Sequence, residues 1–365
     1  GLTKEECDAR VELAKQYTLE GGPYTNMVFP EAEPEEWLNC DQCTDCFKPA
    51  FNYRPKQSAQ YALAISNFED SEDSPKRYNF GFIASTDDHT ARPGTGYKQY
   101  ERRKMTFATG VKSKFWEYTY PAEDPNFPEI PKIKPGESQP DSERVSSFVY
   151  PGGILAVHAE GRGKDAIWTA LKNKNVYGTS GPRILLWFDL INAPQGKAPM
   201  GSDITMSQNP RFEVRAAGSF KQKEGCSKES IDSLSSERLD YLCVGECYNP
   251  SNERHIIEQI EIIKITPQVY QGELISSLIQ DPWKIISCGG TSECSIEFED
   301  QNFSRDSVYY VRAIQEETPA INGASLSTRD NFSLCKGSFR TDFEDDCLGI
   351  TNERAWSSPI YVNKP

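Results

Sequence analysis

The chain has 365 residues, 37% of them hydrophobic and 11% aromatic, and carries a formal net charge of −14. That length suffices for two ordinary domains. The excess of carboxylates repels nucleic-acid phosphates and anionic membrane surfaces, which argues against both as partners. No apolar run approaches the roughly 18 residues that a transmembrane helix requires. The first residue is Gly1 rather than Met, from which we expect an upstream portion, either a leader or a larger N-terminal fragment.

A first helix is predicted over residues 3–19, where Thr3 and Glu6 form a capping box and Cys7, Val11, Ala14 and Tyr17 share one face. A second, short helix is predicted at 58–68, capped by Ser58 with Tyr61, Ala62 and Ile65 turned inward. The run Tyr78 to Ser85 reads as a strand ending in Thr86-Asp87-Asp88-His89. Gly153 to Val157 reads as another, ending in His158-Ala159-Glu160-Gly161-Arg162. A helix at about 164–173, with Ala166, Ile167, Ala170 and Leu171 on one side, then leads to Val176-Tyr177-Gly178 and the polar turn Thr179-Ser180-Gly181-Pro182-Arg183. Strand, polar loop, helix and strand is the rhythm of a βα barrel or a layered α/β sheet. Six prolines between Pro121 and Pro140 mark residues 121–143 as an extended excursion.

After residue 193 the rhythm changes. Strand-like runs fall at 211–217, 256–266, 294–299, 307–315 and 359–362, and Val308, Tyr310 and Arg312 alternate with Tyr309, Val311 and Ala313. The expectation is an α/β portion over 1–192 followed by a β-rich, sandwich-like domain over 193–365.

Eleven cysteines are many for a reducing compartment. The close pairs Cys288/Cys294 and Cys335/Cys347 read as disulfide-stapled loops of an exported protein, whether periplasmic, extracellular or at the cell surface. Cys40-x-x-Cys43-x-x-Cys46 has a spacing that also suits zinc or part of an iron–sulfur cluster. The oxidising context favours a disulfide knot there, with Cys7 as a further candidate member.

Asp87-x-His89 is the leading site candidate. A carboxylate and an imidazole two apart on an extended segment point the same way and can share a metal; the plainer alternative is a capping aspartate beside a loop histidine. His158 and Glu160, at the next strand end, form either a proton-transfer pair near metals or a hydrogen-bonded pair that stabilises the fold. Arg162 and Arg183 suit an anionic substrate or a neighbouring carboxylate equally in chemistry. Ser180 in Thr179-Ser180-Gly181 could present a hydroxyl and backbone N–H groups to an oxyanion, or sit in a plain turn. Arg102-Arg103-Lys104 is a local basic patch, and His255 opens a strand as a structural residue.

The string from Phe80 through Ser85-Thr86-Asp87-Asp88-His89 to Gly94 resembles the closing metal motif of the PHP (polymerase-and-histidinol-phosphatase) hydrolases. With Glu36 to Cys46, Pro49 to Arg54, Gly152 to Arg162, Tyr177 to Arg183 and Glu353 to Pro359, it resembles still more the PHP-related family of unknown function numbered 3604. The resemblance implies that residues 1–192 are the C-terminal part of a distorted βα barrel. It also implies two or three divalent ions (zinc, manganese or iron) that activate water against a small-molecule ester or phosphoester, with Asp87 and His89 as ligands. On that reading His158 or Glu160 assists proton transfer, Arg183 orients the substrate, and Arg162 and Ser180 bind it. The opening His-x-His of the PHP pattern has no counterpart among His89, His158 and His255. The missing imidazoles would come from an N-terminal fragment. The alternative is a non-catalytic structural or surface-binding protein that keeps the fold with an incomplete metal site.

Overall fold

The structure is a computed structural model and describes residues 3–21, 58–69, 75–85, 153–243, 247–321 and 348–365. The first helix, α1 (Lys4–Gly21), begins with the predicted box: Thr3 N–H donates to Glu6 Oε2 at 2.8 Å, and Glu6 N–H donates to Thr3 Oγ1 at 3.2 Å. Its first turns are solvent-exposed, Val11 and Cys7 included, and Cys7 is a free thiol. Helix α2 (Ala59–Ala64) is capped by Ser58, whose Oγ accepts from Tyr61 N–H at 3.0 Å. Gln60, Leu63 and Ala64 are its buried residues, one position away from the predicted inward set. A short hairpin, β1 (Ser66–Asn67) with β2 (Lys76–Arg77), follows.

Two open sheets carry the rest. The larger runs β12 (Ile279–Thr291), β11 (Ile257–Ile265), β14 (Ser307–Ile321), β15 (Leu348–Ser357), β4 (Val176–Thr179), β3 (Ile154–Val157), with β16 (Ile360–Asn363) also on β14 and β7 (Asp203–Thr205) parallel to β16. The smaller runs β13 (Glu293–Glu299), β8 (Arg211–Ala217), β5 (Leu185–Ala193), β6 (Gly196–Pro199). A separate ribbon pairs β9 (Phe220–Gln222) with β10 (Pro250–Arg254). Alternation along each strand fills the space between the sheets: Leu186, Phe188 and Leu190 of β5 and Phe212, Val214 and Ala216 of β8 meet Ile260 and Ile262 of β11 and Tyr309, Val311 and Ala313 of β14.

The expected barrel is overturned. The chain is mainly β, and its sheets do not close. The strand–helix–strand rhythm at 154–179 is present, since helix α3 (Lys164–Lys172) lies between β3 and β4. Yet β3 and β4 are antiparallel neighbours, whereas a βα unit joins parallel strands. Helix α3 therefore caps a hairpin return instead of covering a sheet face. Of its expected apolar side only Ala170 is buried, and Ile167 and Trp168 face solvent.

The predicted strand at Tyr78–Ser85 joins no ladder. It lies extended across the outer face of the large sheet, where Phe80 N–H donates to Tyr361 Oη at 2.8 Å, Phe82 N–H donates to Ser358 Oγ at 2.9 Å, and Ala84 sits against Gly178. A Cβ on Gly178 would lie 2.7 Å from the Ala84 Cβ, so glycine is what admits this close crossing.

The corner between the sheets is closed covalently. Strand β12 belongs to the large sheet and β13 to the small one, with a single residue between them, and Cys288 is bonded to Cys294 across that turn. This is the predicted pair. A second disulfide joins Cys226 to Cys247 beside the β9–β10 ribbon; the sequence reading paired neither. Two short helices, α4 (Lys228–Ser233) and α5 (Ser236–Cys243), lie in the connection it closes. Cys40, Cys43, Cys46, Cys335 and Cys347 fall outside the described residues, as does the excursion at 121–143. Among the described residues no helix is long and apolar enough to cross a membrane.

Candidate functional site

Beyond the end of β3 the chain places His158 half-buried, its ring 5.3 Å from that of Tyr177 and 5.7 Å from that of Trp187. Its Nε2 lies 2.8 Å from the carbonyl oxygen of Leu186. A carbonyl only accepts, so Nε2 carries the proton in this bond. Glu160 and Arg162 are exposed in the loop that follows. His158 is thus an aromatic and hydrogen-bonded element of the join between the two sheets.

At the end of β4, Ser180 Oγ donates to Glu353 Oε2 and accepts from Arg354 N–H at 2.8 Å, while Ser180 N–H donates to the Arg354 carbonyl at 2.9 Å. Gly181 N–H donates to Thr179 Oγ1 at 3.1 Å. Both backbone donors of the Ser180-Gly181 turn therefore bond within the fold, Gly181 locally and Ser180 so as to tie β4 to β15. The exposed Arg183 guanidinium lies 4.1 Å over the Tyr248 ring.

Asp87 and His89 lie outside the described residues. The described chain reaches Ser85, whose carbonyl lies beside Gly153 at the start of β3. The expected zinc, manganese or iron centre is corrected: among the described residues, no group of three His, Cys, Asp or Glu side chains is arranged to hold a metal ion. The two described histidines bond to the framework, His158 to a carbonyl and the buried His255 through Nδ1 to Glu316 Oε1 at 2.7 Å.

Sequence reasoning missed two buried charge clusters. On the outer face of the large sheet, Arg312 donates through Nε to Glu261 at 2.7 Å and through both terminal nitrogens to Asp281. Gln60 of α2 adds bonds to Asp281 at 2.5 Å and to Tyr310 Oη at 2.6 Å. Between the sheets, Lys264 pairs with Asp300 at 2.5 Å, and Tyr309 Oη donates to the same carboxylate. Burial pushes the Asp300 carboxyl up, but the Lys264 ammonium and the Tyr309 hydroxyl outweigh it and hold Asp300 below the usual carboxylate range. The arginine–aspartate–glutamate cluster pairs residues opposite in register, since Glu261 faces Arg312 across β11 and β14.

A third feature is open to solvent. The β1–β2 hairpin and the turn at 266–274 enclose a cleft of about 620 Å³, within the range of about 300–1,000 Å³ typical of small-ligand sites. Its walls are pinned. Ser66 N–H and Oγ donate to Gln268 Oε1 at 3.2 Å and to the Gln268 carbonyl at 2.9 Å, and Gln268 Nε2 donates to the Glu273 carbonyl at 2.8 Å. The Arg305 guanidinium clamps the Glu273 carboxylate at 2.7 and 3.0 Å. That clamp holds the Glu273 carboxyl below its ordinary range.

Residues 68–223 match the family described as "Protein of unknown function (DUF3604)". The matched span takes in part of one wall of the cleft, Phe68, Glu69, Lys76, Arg77 and Tyr78, together with His158 and Ser180. No curated protein and no solved structure matches the chain.

Proposed function

We propose that this chain is an exported, non-catalytic binding protein built on paired β-sheets. One observation carries the reading. His158 and Ser180, singled out for chemistry, are engaged in joining strands, whereas the pinned cleft beside the β1–β2 hairpin opens to solvent. Export is supported by two disulfides, one of them bridging the sheets. The test offers the purified chain chromogenic carboxylic esters and phosphate mono- and diesters, with Zn²⁺, Mn²⁺ or Fe²⁺ added in turn. The expected result is no hydrolysis above the metal-only background. Turnover that chelation abolishes and His158→Gln suppresses would overturn the reading.

A further inference from the structure

Resting on that binding reading, we infer that the cleft beside the β1–β2 hairpin takes a neutral saccharide of one or two pyranose rings. The lining combines two aromatic side chains, Phe68 and Tyr78, with the amides of Asn67 and Gln271. Tyr78 is 58% exposed, so more than half of that residue is open to solvent. A pyranose presents one apolar face of C–H bonds, weakly positive, which suits the negative face of an aromatic ring. Its rim of hydroxyls both donates and accepts, as does a carboxamide. Asn67 Oδ1 accepts from Glu69 N–H at 2.8 Å, which orients that amide, and Asn67 and Gln271 are both exposed.

Charge selects the neutral class. The Arg77 guanidinium is matched by Asp306, and Lys76 and Glu69 stand in the same lining with opposite sign. Among the described lining residues the charges therefore balance, on a chain whose overall charge of −14 repels anions at long range. Preorganisation supports a specific site: Gln268 bonds both walls together, and the Arg305–Glu273 clamp fixes the turn, so little chain entropy is lost on binding.

The experiment is isothermal titration calorimetry of the full chain with maltose, cellobiose and chitobiose, alongside glucose and glucuronate. Glucose or at least one disaccharide should bind with a millimolar or tighter Kd, and glucose should bind no more weakly than glucuronate. Tyr78→Ala and Gln271→Ala should each weaken the disaccharide by about tenfold. Both positions are exposed, so the variants keep the thermal transition of the parent, and Trp168→Ala on α3 serves as an unaffected control. Absence of binding by glucose and by all three disaccharides, binding unchanged in Tyr78→Ala, or a preference for glucuronate overturns the assignment. Metal-dependent ester hydrolysis by the same sample would sink the binding-protein reading instead, so the two failures are told apart.

Discussion

The two faces of the large sheet are built from the same strands and held by a different balance of forces, since the inner face carries the Lys264–Asp300 ion pair among its rings. Its inner face meets the small sheet through Phe188, Phe212, Phe298 and Tyr309, rings with centroids 4.8–6.3 Å apart, supported by aliphatic neighbours. Its outer face is covered by α2 and by residues 80–85, where a smaller apolar patch around Leu63, Ile263, Ile265 and Tyr310 adjoins the Arg312–Asp281–Glu261–Gln60 cluster. Apolar contact is tolerant of direction. A buried charge cluster is not, because each partner depends on the geometry of the others. The inner face thus supplies cohesion, and the outer face fixes where the N-terminal cover sits.

That contrast can be broken from either side. Phe212→Ala leaves a cavity at the centre of the ring cluster and should cost about 3–5 kcal/mol, read as a lower midpoint in urea unfolding followed by tyrosine and tryptophan fluorescence. Arg312→Ala strands the buried Asp281 carboxylate and the partly buried Glu261 one, and should cost about 3 kcal/mol or more. Its signature differs from the Phe212 variant: hydrogen exchange should accelerate first in α2, and uniform acceleration across both sheets would contradict the division of labour. Removing Cys288–Cys294 releases the constraint on a short loop and should cost about 2 kcal/mol, measured as the difference in unfolding free energy between the parent and the Cys288→Ser/Cys294→Ser variant, both without reductant. The smallest effect concerns pH. Because the Arg305 clamp depresses the Glu273 carboxyl in the folded state, its stabilisation is complete above the carboxyl's unfolded value of about 4.3 and disappears as pH falls through the lower folded value. Acid titration followed by amide NMR should show Val269, whose N–H donates to Glu273, shifting below pH about 4; Arg305→Gln should move that transition upward.

Local pattern made much of the β framework legible. The alternation of Val308, Tyr310 and Arg312 with Tyr309, Val311 and Ala313 corresponds to the outer and inner faces of β14, and the run at 211–217 coincides with β8. The Thr3–Glu6 box and the Cys288–Cys294 bond are short-range features that spacing can reveal. What spacing could not reveal is partnership across distance. Gln60 and Tyr310 are 250 positions apart, and Ser180 and Glu353 are 173 apart. The segment 78–85 has the composition of a strand, but strand formation needs a free edge to pair with, and this segment crosses a face. The βα rhythm misled for a related reason. A polar loop and a helix between two strands fix the length of a connection, and the relative direction of the strands is set by their partners, here β15 for β4.

The Gln60 tether and the Phe80 and Phe82 contacts have a consequence for how the molecule could be divided. Residues 58–85 adhere to the sheet through side-chain packing and hydrogen bonds with residues 281, 310, 358 and 361. The backbone link from residue 85 to residue 153 is a separate matter from that adhesion. Two polypeptides split within that link, made together in one cell, should reassemble and co-purify, and the Arg312→Ala change should part them.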